Sequence, residues 1–272
     1  MLAATIVPTP YLHLTKDDVY LMALAHLIGV DKEYTDFFIE RGKEGKFILM
    51  DNGVVENDQR PLEELVEKAL LINASEIILP DTLYDSGATL RDSKAAIDRL
   101  RRMHVGKAPF GLMAVPQGQD FHEWYRCAAI MLQWDIDAIG ISKFTTPKFV
   151  EFRGKARRFC FGALAALGCK KDIHFLGCWD DPAEMADLTT LESLATPTAK
   201  MIRGTDSAIA YAYAREGKLL STHNSRPMEE IDFAASTALE AILDTNITRW
   251  RDYCAGKLYE LPEQGVSKDT CK

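Results

Sequence analysis

The stretch Lys200-Met-Ile-Arg-Gly-Thr-Asp-Ser-Ala-Ile-Ala-Tyr-Ala-Tyr-Ala-Arg-Glu-Gly217 holds the turn whose reading decides the fold. Lys200 to Arg203 reads as a short buried strand centred on Met201 and Ile202, and Gly204, Thr205 and Asp206 follow it directly. From Ser207 the chain is alanine-rich with strong helix propensity, and Gly217 is the stop expected just past a helix end. An acid at the point where strand becomes helix sits at the carboxyl edge of a sheet, where α/β proteins hold their ligands. Taken alone, Asp206 or Ser207 could equally be a helix cap.

Working outward, the same unit recurs. Thr5 to Pro8 is a β-branched run ended by proline, and Asp18 to Leu27 is an apolar run, ambiguous between strand and helix, taken as the second strand with His26 near its end. Further strands are expected at Phe47 to Met50, ending in Asp51-Asn52-Gly53, and at Glu76 to Leu79, ending in Pro80-Asp81. Phe110 to Val115 runs into Pro116-Gln117-Gly118, Ala138 to Ile141 into Ser142-Lys143, and Ile173 to Leu176 into Gly177-Cys178-Trp179. Helical patterns fall between them: Tyr34 to Arg41, a helix opened by Pro61, Leu90 to Met103, Asp120 to Gln133, Phe149 to Leu167, and one begun by Pro182. A long terminal helix is expected from Pro227 to about Arg251.

Strand and helix alternating at roughly thirty-residue intervals form βαβ units. Eight such strands predict an α/β fold, a (β/α)8 TIM-like barrel, as a single domain over residues 1–261 with a polar tail at 262–272. The competitor is a doubly wound open sheet, against which stands the absence of a Gly-x-Gly-x-x-Gly turn after the first strand.

Composition narrows the function classes. An apolar fraction of 47% over 272 residues suffices for a full core, while no apolar run is long enough to cross a bilayer. No basic region precedes the apolar residues at the N-terminus, so a soluble, intracellular protein with no membrane partner is expected. The six cysteines form no Cys-x-x-Cys pair and no histidines have ligand spacing, which argues against a metal site or a disulfide scaffold. The net charge of −8 argues against a uniformly basic nucleic-acid coat. A local basic run remains: Lys143, Lys148, Arg153, Lys155, Arg157 and Arg158 share their stretch with one acid, Glu151. It reads either as a solvated helix face or as a phosphate-contacting patch.

In a parallel barrel every strand end converges on one rim, which would gather His26, Asp51, Asn52, Asp81, Gln117, Lys143, Trp179 and Asp206. Three acids placed directly after apolar strands exceed what capping requires. Carboxylates can attack a glycosidic carbon, stabilise an oxocarbenium-like transition state or move a proton. An Asp beside a Gln can also read a purine edge, one accepting from ring N–H and amino groups, the other both donating and accepting. Spacing does not separate a sugar hydrolase from a base exchanger.

The ordered motifs Asp51-Asn52-Gly53, Leu79-Pro80-Asp81, Val115-Pro116-Gln117-Gly118, Ile139-Gly140-Ile141, His174-Phe175-Leu176-Gly177 and Gly204-Thr205-Asp206-Ser207 resemble the tRNA-guanine transglycosylase superfamily over residues 18–220. The segment after Asp206 is similar to its archaeal branch. The family's Cys-x-Cys-x-x-Cys…His zinc module has no counterpart in residues 218–272, and the RNA-binding domain that archaeal members append is not expected. In this compactness the chain most resembles the viral 7-deazaguanine DNA transglycosylases.

That resemblance implies exchange of guanine in DNA for a free 7-deazaguanine base, without a cofactor. It implies Asp206 as nucleophile at C1′ and Asp51 as general acid/base. Asp81 and Gln117 would hold the purine edge, with Asn52, Gly53, Gly118, Gly140 and Ile141 around the base. His26, Lys143, Lys148, Arg153 and Arg157 are the candidates for sugar or phosphate contacts. A target in a duplex would have to be flipped into the pocket. The alternatives are the same chemistry on tRNA, a two-carboxylate glycoside hydrolase, and a non-catalytic nucleic-acid-binding subunit.

Overall fold

The computed structural model describes residues 1–54, 61–103, 109–144, 153–178, 182–195, 202–221, 231–234 and 238–258. Eight strands form one wholly parallel sheet: β1 (Leu2–Thr5), β2 (Tyr20–Ala23), β3 (Phe47–Met50), β4 (Glu76–Ile78), β5 (Gly111–Ala114), β6 (Ala138–Ser142), β7 (Asp172–Leu176) and β8 (Ile202–Ser207). Hydrogen bonding runs from β1 through β8, β7 and β6 down to β2, and β2 lies beside β1, so the sheet curls into a nearly closed barrel. The helices are α1 (Lys32–Lys43), α2 (Leu62–Leu71), α3 (Ser86–Met103), α4 (Phe121–Met131), α5 (Arg153–Ala166), α6 (Ala183–Ala195), α7 (Ile209–Arg215) and α8 (Glu240–Cys254). The expected (β/α)8 architecture is therefore the observed one. No described helix is long and apolar enough to cross a membrane.

Several boundaries differ from the sequence reading, the end of β8 among them, and three have an identifiable cause. The first strand lies at Leu2–Thr5 rather than Thr5 to Pro8, because Pro8 lacks an N–H and opens a 3₁₀ turn over Thr9–Thr15. The second strand is only Tyr20–Ala23; the chain then turns, Leu27 N–H donating to Leu24 O, and His26 sits in that turn. The terminal helix is Glu240–Cys254; Ile231 to Ala234, inside the span expected to be helical from Pro227, are not helical, and Pro227 itself lies outside the described residues. Just before Glu240, the backbone N–H and C=O of Ala238 are both taken by the Tyr11 hydroxyl, at 2.7 and 2.9 Å. Within α8, Leu243, Ile247, Trp250 and Cys254 form one buried stripe, and the helix packs on β1, α6 and α7.

The barrel interior is filled by side chains, as parallel barrels require. At its amino end Arg203 donates to both oxygens of Glu76, with Nη1 to Oε2 at 2.9 Å. Its guanidinium also lies 4.8 Å from the Phe47 ring centroid, and Tyr20 stacks on the same Phe47. Arg203 can face inward because the β7–β8 register slips there: Ile173 pairs with Ile202 but His174 with Gly204, leaving Arg203 as the extra residue of a bulge.

Candidate active site

The opposite, carboxyl end of the barrel opens into a cavity of about 500 Å³. Asp51, Asn52, Asp81, Asp206, His26 and Lys143 all line it, so residues drawn from most of the chain's length meet there. Leu24, Ile78, Val115 and Leu176 supply apolar wall from the strands, and Phe144, Ile231 and Phe233 add to it from the loops. Apolar walls with a few convergent polar groups are the usual composition of a small-molecule site.

Each acid is held differently. Asp51 follows β3, its N–H donating to Ala23 O, and its Oδ2 accepts from Gly53 N–H at 3.1 Å in a turn that needs the left-handed φ of 74° at Gly53. Asn52 donates to Leu79 O at 2.9 Å and to Asp81 Oδ1 at 2.7 Å. Asp81 Oδ2 accepts from Gln117 Nε2 at 2.7 Å, and Gln117 Oε1 accepts from Tyr84 N–H. Asp81 is thus clamped between two amides. Its burial, at 2% exposure, pushes its carboxyl up to about 6, partly offset by the bonds from Asn52 and Gln117.

Asp206 lies within β8 rather than just beyond it, opposite Ala4 of β1. Its Oδ1 faces two donors, His174 Nε2 at 2.9 Å and Gly177 N–H at 3.1 Å. Oδ2 has no hydrogen-bond partner among the described residues and is left for the cavity. Neither Asp206 nor Ser207 is the cap of α7: the N-cap is Ala208, with no side-chain cap, while Ser207 Oγ accepts from Ile209 N–H at 3.1 Å in the turn before it.

The purine-edge residues divide. Asp81 and Asn52 line the cavity, whereas Gln117 is fully buried behind Asp81 and commits both ends of its amide to protein groups. Gly53, Gly118, Gly140 and Ile141 do not line it either. A Cβ on Gly118 would come within 2.5 Å of Trp124 N, so that glycine lets the β5 loop cross the start of α4. A Cβ on Gly140 would meet Leu176 Cδ1 at 2.9 Å and Val115 Cγ2 at 3.0 Å, two wall residues, so Gly140 keeps the space beneath the cavity open. Ile141, one position on, points the other way, toward the helices.

The basic run requires a correction. Arg157 is fully buried and cannot reach a phosphate: Nε and Nη2 donate to Glu184, and Nη1 donates to Leu176 O and Gly177 O. Arg158 pairs with Asp187. Both acids come from α6, outside the window in which the run was counted. Lys148, the side chains of Arg153 and Lys155, and Trp179 lie outside the described residues. Lys143 flanks Gly177 and lies over the Phe144 ring, 5.1 Å from Nζ to centroid. His26 keeps a buried Nδ1 with no partner, at the cavity wall.

Sequence reasoning missed the groups that hold Asp206. His174 is fully buried on β7, with Nδ1 2.8 Å from the Tyr20 hydroxyl. Gly177, at φ 70°, aims its N–H at Asp206 while its carbonyl is gripped by Arg157. The one available signal was a histidine inside an apolar strand, two residues before the rim. Among the described residues no group of three or more His, Cys, Asp or Glu could hold a metal ion. The five described cysteines are buried and free. No family model matches the chain, and no curated protein matches it.

Proposed function

We propose that the protein is a base-exchange transglycosylase that replaces guanine in DNA with a 7-deazaguanine derivative. The observation that carries the reading is the convergence of Asp51, Asp81 and Asp206 on one apolar-walled cavity, with Asp206 Oδ2 unpartnered among the described residues and Asp81 fixed by two amides. The choice of purine and of polymer rests on the resemblance of the ordered motifs, since a barrel hosts many chemistries.

In the proposed reaction Oδ2 of Asp206 bonds to C1′ as the C1′–N9 bond breaks, and that electron pair leaves with guanine, which takes a proton from Asp51. Asp51, now a carboxylate, removes the N9 proton of the incoming base. N9 attacks C1′, and the Oδ2–C1′ electron pair returns to Asp206. Asp81 accepts hydrogen bonds from the N–H groups of the purine edge, with Gln117 and Asn52 fixing its orientation. Lys143 and His26 stand at the wall toward the sugar and its phosphate.

Incubation with labelled guanine and either duplex DNA or tRNA tests this, with intact-mass detection of a glycosyl-enzyme. Label should enter DNA, wild type should form the adduct, and Asp206→Asn should not. Exchange surviving in Asp206→Ala overturns the nucleophile; incorporation into tRNA alone overturns the polymer. DNA affinity should fall with added salt, and affinity independent of salt removes the nucleic-acid partner.

A further inference from the structure

A row of buried polar groups climbs the barrel interior from the Arg203–Glu76 ion pair to Asp206. Arg203 Nε lies 3.2 Å from the Tyr20 hydroxyl, Tyr20 lies 2.8 Å from His174 Nδ1, and His174 Nε2 lies 2.9 Å from Asp206 Oδ1. Chemistry gives this row one direction. A guanidinium nitrogen only donates, so the Tyr20 oxygen accepts there, and its own proton must go elsewhere. Burial raises the Tyr20 phenol, with the Arg203 charge opposing, so the proton stays on oxygen. The acceptor within reach is His174 Nδ1. An imidazole that accepts at Nδ1 carries its proton on Nε2, and a carboxylate oxygen is an acceptor only.

We propose that Tyr20, polarised by Arg203, and the acceptor-only carboxylate of Asp206 together hold His174 as its Nε2–H tautomer, Tyr20 from the Nδ1 side. In that form, His174 acts as a positioning residue that ties down Oδ1 of Asp206 and presents Oδ2 alone to the substrate. The inference rests on the nucleophile role given to Asp206. His174 touches no substrate; it limits which oxygen forms the bond to C1′. When that bond breaks in the second half of the exchange, the departing carboxylate is received by the same two N–H groups, from His174 and Gly177, which favours its release.

The test has a spectroscopic and a kinetic arm, both on the full chain. Histidine ¹⁵N spectra of wild type at neutral pH should show His174 with a pyridine-like δ1 and a pyrrole-like ε2 nitrogen. Tyr20→Phe should move the δ1 resonance toward its unbonded value and leave ε2 pyrrole-like. A proton on Nδ1 in wild type, or a δ1 resonance indifferent to Tyr20→Phe, overturns the proposal.

For the kinetic arm, His174→Gln places an amide N–H where Nε2 was, whereas His174→Asn places it where Nδ1 was and leaves Asp206 without that donor. Single-turnover adduct formation should slow by about 10²-fold in His174→Asn, the scale of a small misplacement of a reacting group, with substrate affinity unchanged. His174→Gln should recover most of that loss. Equal losses in both variants, or none in either, overturn the positioning role. If wild type forms no adduct, the exchange reading fails by itself, and the wild-type spectrum still decides the tautomer.

Discussion

Asp81 should make the folded protein less stable as pH rises. Its carboxyl moves from 3.8 to about 6 on folding because it is buried against the barrel wall, and the two amide donors recover only part of the lost hydration. Between these values the native state holds a proton that the unfolded state has released, so unfolding free energy falls as pH increases. The contribution is fully present below about 3.8 and is lost as pH rises through about 6. Roughly two pKa units at about 1.36 kcal/mol each give about 3 kcal/mol.

The assay is urea unfolding of wild type and Asp81→Asn at a series of pH values from 4 to 8. The asparagine turns an N–H toward the donors of Asn52 or Gln117 and therefore costs stability, but that cost carries no proton and is the same at every pH. All other titrating groups are shared and cancel in the difference. Wild type minus variant should fall by about 2.4 kcal/mol between pH 4 and 8, half of it gone by about pH 5 and nearly all of it by about pH 6. A flat difference, or one that grows with pH, refutes the claim that Asp81 is a desolvated acid.

Two further perturbations discriminate between roles. Arg157→Ala should cost about 3–5 kcal/mol in chemical denaturation by leaving Glu184 buried and unpaired. Arg157→Met with Glu184→Leu should recover much of that loss, whereas a phosphate-contacting arginine would leave stability unchanged and lower DNA affinity instead. Gly177→Ala should cost about 1–2 kcal/mol, read by urea midpoint, because a Cβ is forced into a left-handed backbone at φ 70°. Its Cβ would also lie 2.8 Å from Lys143 Cδ; that side chain is flexible, so an unchanged midpoint would show that the backbone there relaxes.

The rim was legible because sequence periodicity marks strand ends. Asp51, Asn52 and Asp81 each follow an apolar run directly, and a closed parallel sheet brings such positions to one face. Asp206 lines the same cavity, although β8 continues through it to Ser207 and does not end at Arg203. What supports Asp206 was not legible. Tyr20 and His174 are 154 positions apart, and their contact exists only after the sheet curls. Each also sits in an apolar run, where an inward polar tip looks like ordinary core. The basic run misled for a related reason: Glu184 and Asp187 neutralise Arg157 and Arg158 from the following helix, and a count of charges along the chain cannot see across that gap. The start of α8 was equally out of reach, since Tyr11 withdraws the backbone of Ala238 from more than two hundred residues away.

The Arg203–Glu76 pair, backed by Tyr20 and Phe47, stoppers the barrel at its far end. With that end stopped, the rim is the doorway that the described residues leave, and it imposes a queue. In the proposed exchange the outgoing base must vacate by the route its successor uses, while the sugar stays tethered to the protein in the interval. Turnover then alternates between two half-reactions, and any feature that narrows the doorway slows both.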